Sequence, residues 1–106
     1  MKRIGFVSKV KHDRIEEYKK HHREVWPEML AALSRSGWHN YSLFLRNDGL
    51  MFGYFETPND FDTAQNAIAS EQISSKWHEF MLPFFEPRQQ GQSAFEIELE
   101  EVFHLD

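Results

Sequence analysis

Apolar positions recur with a period of two in four stretches of this chain and with a helical period between them. In residues 3 to 10, Ile4, Phe6, Ser8 and Val10 share one face, and Gly5, Val7 and Lys9 the other, which reads as a first strand. Asp13 with Glu16 three residues on reads as an N-cap with a capping-box partner. At about 100° per residue, Ile15, Tyr18, His22, Val25, Trp26, Met29, Leu30 and Leu33 fall on one arc, with His21 off its centre. Pro27 removes a backbone donor and clashes with the carbonyl of Arg23. The arc therefore divides into two helical pieces, 14–24 and 27–36, sharing one buried face across a kink, with Gly37 as C-cap.

The second half repeats this scheme. Residues 38 to 46 form a strand with His39, Tyr41, Leu43 and Leu45 on one face and Asn40, Ser42, Phe44 and Arg46 on the other. Asn47-Asp48-Gly49 marks a hairpin into a third strand, Leu50 to Glu56. Thr57-Pro58-Asn59-Asp60 reads as a helix start with Thr57 as N-cap. Phe61, Ala64 and Ile68 give a helical face, Ser70 restarts the helix, and Ile73, Trp77, Phe80 and Met81 continue it until Pro83. A polar loop over 86–93 leads to a last strand, Ala94 to Leu105, whose apolar stripe alternates with Glu96, Glu98, Glu100 and His104.

The order β-α-β-β-α-β is that of an α+β ferredoxin-like sandwich, with both helical segments on one face of an antiparallel sheet. The 106 residues give one domain, 1–106. The opposite sheet face carries Phe44 and Phe52, too apolar to leave in water. A homodimer with the two sheets face to face covers them, and the last strand has the length to reach the partner.

Composition narrows the function. The chain has no Cys, which excludes disulfides, thiolate metal sites and thiol catalysis and favours a reducing compartment. A net charge of −5 argues against nucleic acid. No apolar run approaches the roughly 20 residues that span a bilayer, and the N-terminus lacks the apolar core of a signal peptide. The expectation is a cytoplasmic protein without a membrane partner. Ten Phe, three Trp and three Tyr exceed what one small core needs, and imply a ligand pocket or an interface.

Tyr18 and His22, four residues apart, are neighbours on the sheet-facing side of the first helix. If Tyr41 faces the helices, it lies opposite them, and Trp77 comes from the last helical segment. Each alone is more often a packing residue; together they make a histidine ringed by aromatic faces with polar tips, the make-up of a sugar site. No HExxH or paired-His spacing points to a metal, and His12, His78 and His104 read as surface residues. His39 shares a strand face with Tyr41, which sets it near the pocket, and Asn40 lies on the opposite face unless a bulge intervenes. No Gly-x-Ser-x-Gly turn or Gly-rich phosphate loop is present.

The run Glu17-Tyr18, His22 and Trp26-Pro27-Glu28, then Gly37-x-His39-Asn40-Tyr41, Lys76-Trp77 and Glu101-Val102-Phe103, resembles the L-rhamnose mutarotase family over essentially the whole chain. The resemblance implies a dimeric α/β barrel that interconverts the α and β anomers of L-rhamnopyranose without a cofactor. It implies His22 as proton donor, with Tyr18, Tyr41 and the pair Lys76 and Trp77 contacting the sugar. Lys76 stands where members of that family carry Trp, a departure that bears on the choice of sugar and keeps L-fucose open. A non-catalytic regulator or ligand carrier, and a haem-handling or cofactor-free oxygenase of the same broad fold, are the competing readings.

Overall fold

The computed structural model describes residues 1–86 and 96–106. Among them the order is β1 (Lys2–Lys9), α1 (Ile15–His22), α2 (Pro27–Arg35), β2 (His39–Leu45), β3 (Leu50–Thr57), α3 (Phe61–Ala69), α4 (Gln72–Met81) and β4 (Ile97–Leu99). The strands pair antiparallel in the order β2-β3-β1-β4. This is the expected α+β ferredoxin-like arrangement, with each helical excursion split in two.

The split in the first excursion falls at Pro27, which opens α2 at its first turn, where a missing N–H costs nothing. At the other end of α2, Trp38 N–H reaches Leu33 O at 3.0 Å and Gly37 N–H reaches Ser34 O at 3.3 Å. Gly37 sits at φ 85°, so the helix ends in a Schellman turn that only a residue tolerant of positive φ makes cheaply. That turn delivers Trp38 into the core, where it stacks on Phe55 at 3.8 Å and donates Nε1–H to Ala64 O at 3.0 Å.

The core lies between the helices and one sheet face. Ile4, Phe6, Met29, Ala32, Trp38, Phe55, Phe61, Ala64 and Ile68 form its larger part. Gly53 is paired with Phe6 across β1 and β3, and the Phe6 ring lies over it where any Cβ would collide. A second cluster of Val10, Ile15, Tyr18, Met51, Met81 and Phe84 closes the end from which α1 starts. The other sheet face presents Phe44, Phe52, Ile97 and Leu99, between 40% and 61% exposed.

Three local expectations differ from the structure. Asp13 does not cap α1: His12–Arg14 is a 3-10 turn, and α1 follows Arg14 without a side-chain cap. The approach is instead fixed by backbone bonds from Val10 N–H to Gly49 O and from Lys11 N–H to Phe84 O, both 2.8 Å. Thr57 does not cap α3, because it is still in β3, buried and paired with Lys2. The cap is Asp60, whose Oδ1 accepts from Thr63 N–H at 2.8 Å, and α4 restarts after Glu71 rather than at Ser70.

The last strand is shorter than the alternation predicts. Ala94, Phe95 and the loop residues 87–93 lie outside the described residues. β4 covers Ile97–Leu99, and the bidentate Arg3–Glu101 pair at 2.8 and 2.9 Å carries its register two residues further. Beyond that β1 runs out, since it starts at Lys2. Phe103 and Leu105 therefore lie past the end of β1 and, with Val102, stand 79–85% exposed.

Candidate active site

One cavity lies between the helices and the sheet, and Tyr18, His22, Tyr41 and Trp77 all line it. α1 supplies the first two. Its i, i+4 spacing lays the Tyr18 ring on the His22 imidazole, with centroids 4.1 Å apart and planes 24° from parallel. Trp77 of α4 meets the same imidazole edge-on at 5.6 Å, and Trp26, from the link between α1 and α2, meets Trp77 edge-on at 4.9 Å. The break before Pro27 thus places an aromatic wall beside His22.

Tyr41 reaches the cavity through a β-bulge. His39 pairs with Glu56 and Ser42 with Tyr54, so three steps on β2 oppose two on β3. Asn40 takes up the difference at φ 50°, a conformation Asn tolerates, and holds Glu56 Oε2 with its side-chain amide at 3.0 Å. The bulge turns Tyr41 inward against Phe6, Trp38 and Phe55 and sends His39 to the outer face beside Glu56. The simple alternation that put His39 and Tyr41 on one face fails for this reason, and His39 does not line the cavity.

The ionisable groups are held in defined states. His22 Nδ1 lies 3.1 Å from Tyr18 O, and since a carbonyl only accepts, Nδ1 carries the hydrogen of the neutral ring. Nε2 is then the nitrogen available to the cavity. Burial lowers the imidazole pKa; the bond to Tyr18 O opposes that shift and the neighbouring His21 adds to it. Tyr18 hydroxyl donates to Met51 Sδ at 2.9 Å, and burial raises its pKa, with a contribution from the charge of Glu96. Burial does the same to Tyr41, where Tyr18 and Glu96 add to the effect. Both phenols keep their protons across the neutral range.

Lys76 is not brought to this cavity. It is exposed on α4 and lines a separate shallow groove with Glu28, Arg35 and Glu71. His21 packs between Phe80 and Phe84 instead. His78 is exposed but stands at the cavity, and His12 and His104 lie on the surface. Sequence reasoning missed Met51, Asp62 and Glu96, which also line the cavity. Glu96 was legible only through strand register, because β4 turns its apolar residues outward and its acids toward the helices. Among the described residues no three His, Cys, Asp or Glu side chains cluster as metal ligands, and no helix is long and apolar enough to cross a membrane.

Comparison with known proteins identifies the family. The family model for L-rhamnose mutarotase matches residues 3–105. The chain belongs to the L-rhamnose mutarotase family. The L-rhamnose mutarotase of Oceanobacillus iheyensis is 40% identical and that of Lactiplantibacillus plantarum 41% identical, each over 100% of both chains. The crystal structure of an L-rhamnose mutarotase from Formosa agariphila superposes with a TM-score of 0.81 at 26% identity, again covering 100% of both chains. The L-rhamnose mutarotase fold is therefore shared from end to end, and the cavity described above lies within it.

Proposed function

We propose that this protein is an L-rhamnose mutarotase, an isomerase that interconverts the α and β anomers of L-rhamnopyranose by acid/base ring opening and reclosure. The observation that carries the reading is His22: an imidazole fixed through Nδ1 and offering Nε2 to a cavity walled by aromatic rings. Opening the hemiacetal needs a proton delivered to the ring oxygen and one removed from the anomeric hydroxyl. The aldehyde then turns about its C1–C2 bond, and closure on the other face reverses both transfers. A histidine exchanges protons near neutral pH, and such help is typically worth roughly 10²–10⁴-fold. No electrons move, so the chemistry calls for no redox cofactor.

In this reading Tyr41 and Trp77 contact the sugar directly. Rings pack on the C–H face of the pyranose, and the Tyr41 hydroxyl offers a donor to its hydroxyl groups. Tyr18 acts mainly through its ring, since its hydroxyl is engaged by Met51. Lys76 contacts the sugar only if the bound state draws it in from its groove. The protein works in the cytoplasm as a homodimer, a reading supported by the exposed Phe44, Phe52, Ile97 and Leu99 on one sheet face and by the apolar tail at Val102, Phe103 and Leu105.

The test is anomer exchange followed by NMR saturation transfer on L-rhamnose, with L-fucose in parallel. Acceleration over buffer that disappears in His22→Ala, with the fold retained, supports the proposal. No acceleration with either sugar overturns it. Sedimentation at micromolar concentration tests the dimer.

A further inference from the structure

We infer that Glu96 is the second proton-transfer group of this cavity, paired with His22 across the sugar. The inference rests on the mutarotase reading and names the partner that reading requires. β4 pairs with β1 as Gly5–Leu99, Phe6–Glu98 and Val7–Ile97. Phe6 points into the core, so strand alternation turns Glu96 to the same side, toward the helices, and continuation of the register sets it across from Ser8. Ser8 pairs on its other side with Met51, whose Sδ accepts from the Tyr18 hydroxyl. Glu96, Ser8 and Met51 thus form a row across the sheet under the Tyr18–His22 stack, and Glu96 lines the same cavity as His22.

Two further observations favour this carboxylate. Ser8 is 5% exposed, and its hydroxyl has no hydrogen-bond partner among the described residues. It stands where a donor can orient the Glu96 carboxylate once a sugar draws that group inward. The alternatives are also weaker. The Tyr18 hydroxyl is committed to Met51, and Tyr41 holds its proton too tightly to exchange it at neutral pH. Asp62 lines the cavity from α3, but it is the charge of Glu96 that reaches both Tyr18 and Tyr41.

The step balances on a single proton held by the pair. With the proton on His22 Nε2, the Glu96 carboxylate takes the anomeric O–H proton as the C1=O bond forms. The C1–O5 bonding pair returns to the ring oxygen, which takes the proton from Nε2. After rotation about C1–C2, O5 attacks C1 and returns its proton to Nε2, while Glu96 gives its proton to the carbonyl oxygen. No electrons enter or leave.

The test uses the intact protein and anomer exchange by NMR. Glu96→Gln keeps size and hydrogen bonding but cannot accept the proton; its kcat should fall about 100-fold or more, with KM little changed. In Glu96→Ala, added formate should restore part of the rate. Glu98→Gln, on the same strand side but outside the cavity, should exchange as wild type. Wild-type kcat in Glu96→Gln, a loss carried by KM alone, or no response of Glu96→Ala to formate would overturn the assignment to Glu96. Absence of exchange in the wild type would instead remove the mutarotase reading itself.

Discussion

The Tyr18 ring lies flat against the His22 imidazole at 4.1 Å while its hydroxyl points away, onto Met51 Sδ at 2.9 Å. The phenol therefore orients the histidine with its face and anchors itself with its tip. Loss of the hydroxyl removes one buried hydrogen bond, about 0.5–1.5 kcal/mol of stability, but leaves the stack. Tyr18→Phe should retain exchange within about tenfold of wild type. Tyr18→Ala removes the plate that fixes the ring, and a misplaced catalytic group costs roughly 100-fold. Rates of both variants with L-rhamnose, beside their melting curves, check this order. Equal loss in both would mean the hydroxyl itself handles the sugar.

The lowered pKa of His22 makes stability depend on pH. Burial favours the neutral imidazole, so the folded-state pKa lies below the ordinary value of about 6.5 that the unfolded chain retains. Between the two values the unfolded state binds more protons, and stability rises with pH there. His22 thus contributes fully above about pH 6.5, and that contribution is lost as pH falls through the folded pKa. Urea unfolding of wild type and His22→Ala at pH 5 to 8 should converge toward the acid side. A constant gap across the range would place the imidazole in an ordinary, solvated environment.

Legibility in the sequence followed periodicity and failed where two chain segments decide together. The first three strands, both broken helical excursions and the helix end at Gly37 followed from spacing and from Pro and Gly. Tyr18 with His22 was legible because a helix makes its own i, i+4 neighbours. Asp13 and Thr57 misled because capping depends on where tertiary contacts start the helix: Thr57 is still paired with Lys2, and Lys11 is tied to Phe84. His39 and Tyr41 parted company at a bulge that the Asn40 side chain helps to hold through Glu56. Glu96 needed the register of β4 against β1, which no local pattern contains.

The approach of Phe6 to Gly53 makes that glycine a point of no tolerance. Phe6 is 1% exposed, and its ring occupies the space a Cβ on β3 would need. Gly53→Ala must push the ring into Trp38, Tyr41, Phe55 or Phe61, each within 6.3 Å of it. Overpacking of this kind costs typically about 1–3 kcal/mol. Because Tyr41 is among the displaced neighbours, sugar affinity should weaken along with stability. Chemical denaturation together with KM tests both. A variant as stable as wild type would show that the ring has room to slide.

Lys76 and Trp77 are adjacent in sequence, yet only Trp77 meets His22 and the cavity, while Lys76 looks onto the groove between α2 and α4. The groove already holds the Arg35–Glu71 pair at 2.8 Å, so Lys76 adds a solvated cation to an exposed polar surface. Substitutions at such positions usually cost less than about 0.5 kcal/mol, roughly a twofold effect. Lys76→Ala should therefore leave both KM for L-rhamnose and the ratio of L-rhamnose to L-fucose turnover within about twofold, whereas Trp77→Ala should raise KM at least tenfold by removing a wall of the cavity. Kinetics on both sugars decide between them. A Lys76→Ala variant that changes the sugar ratio strongly would mean that α4 turns this side chain inward when the sugar binds.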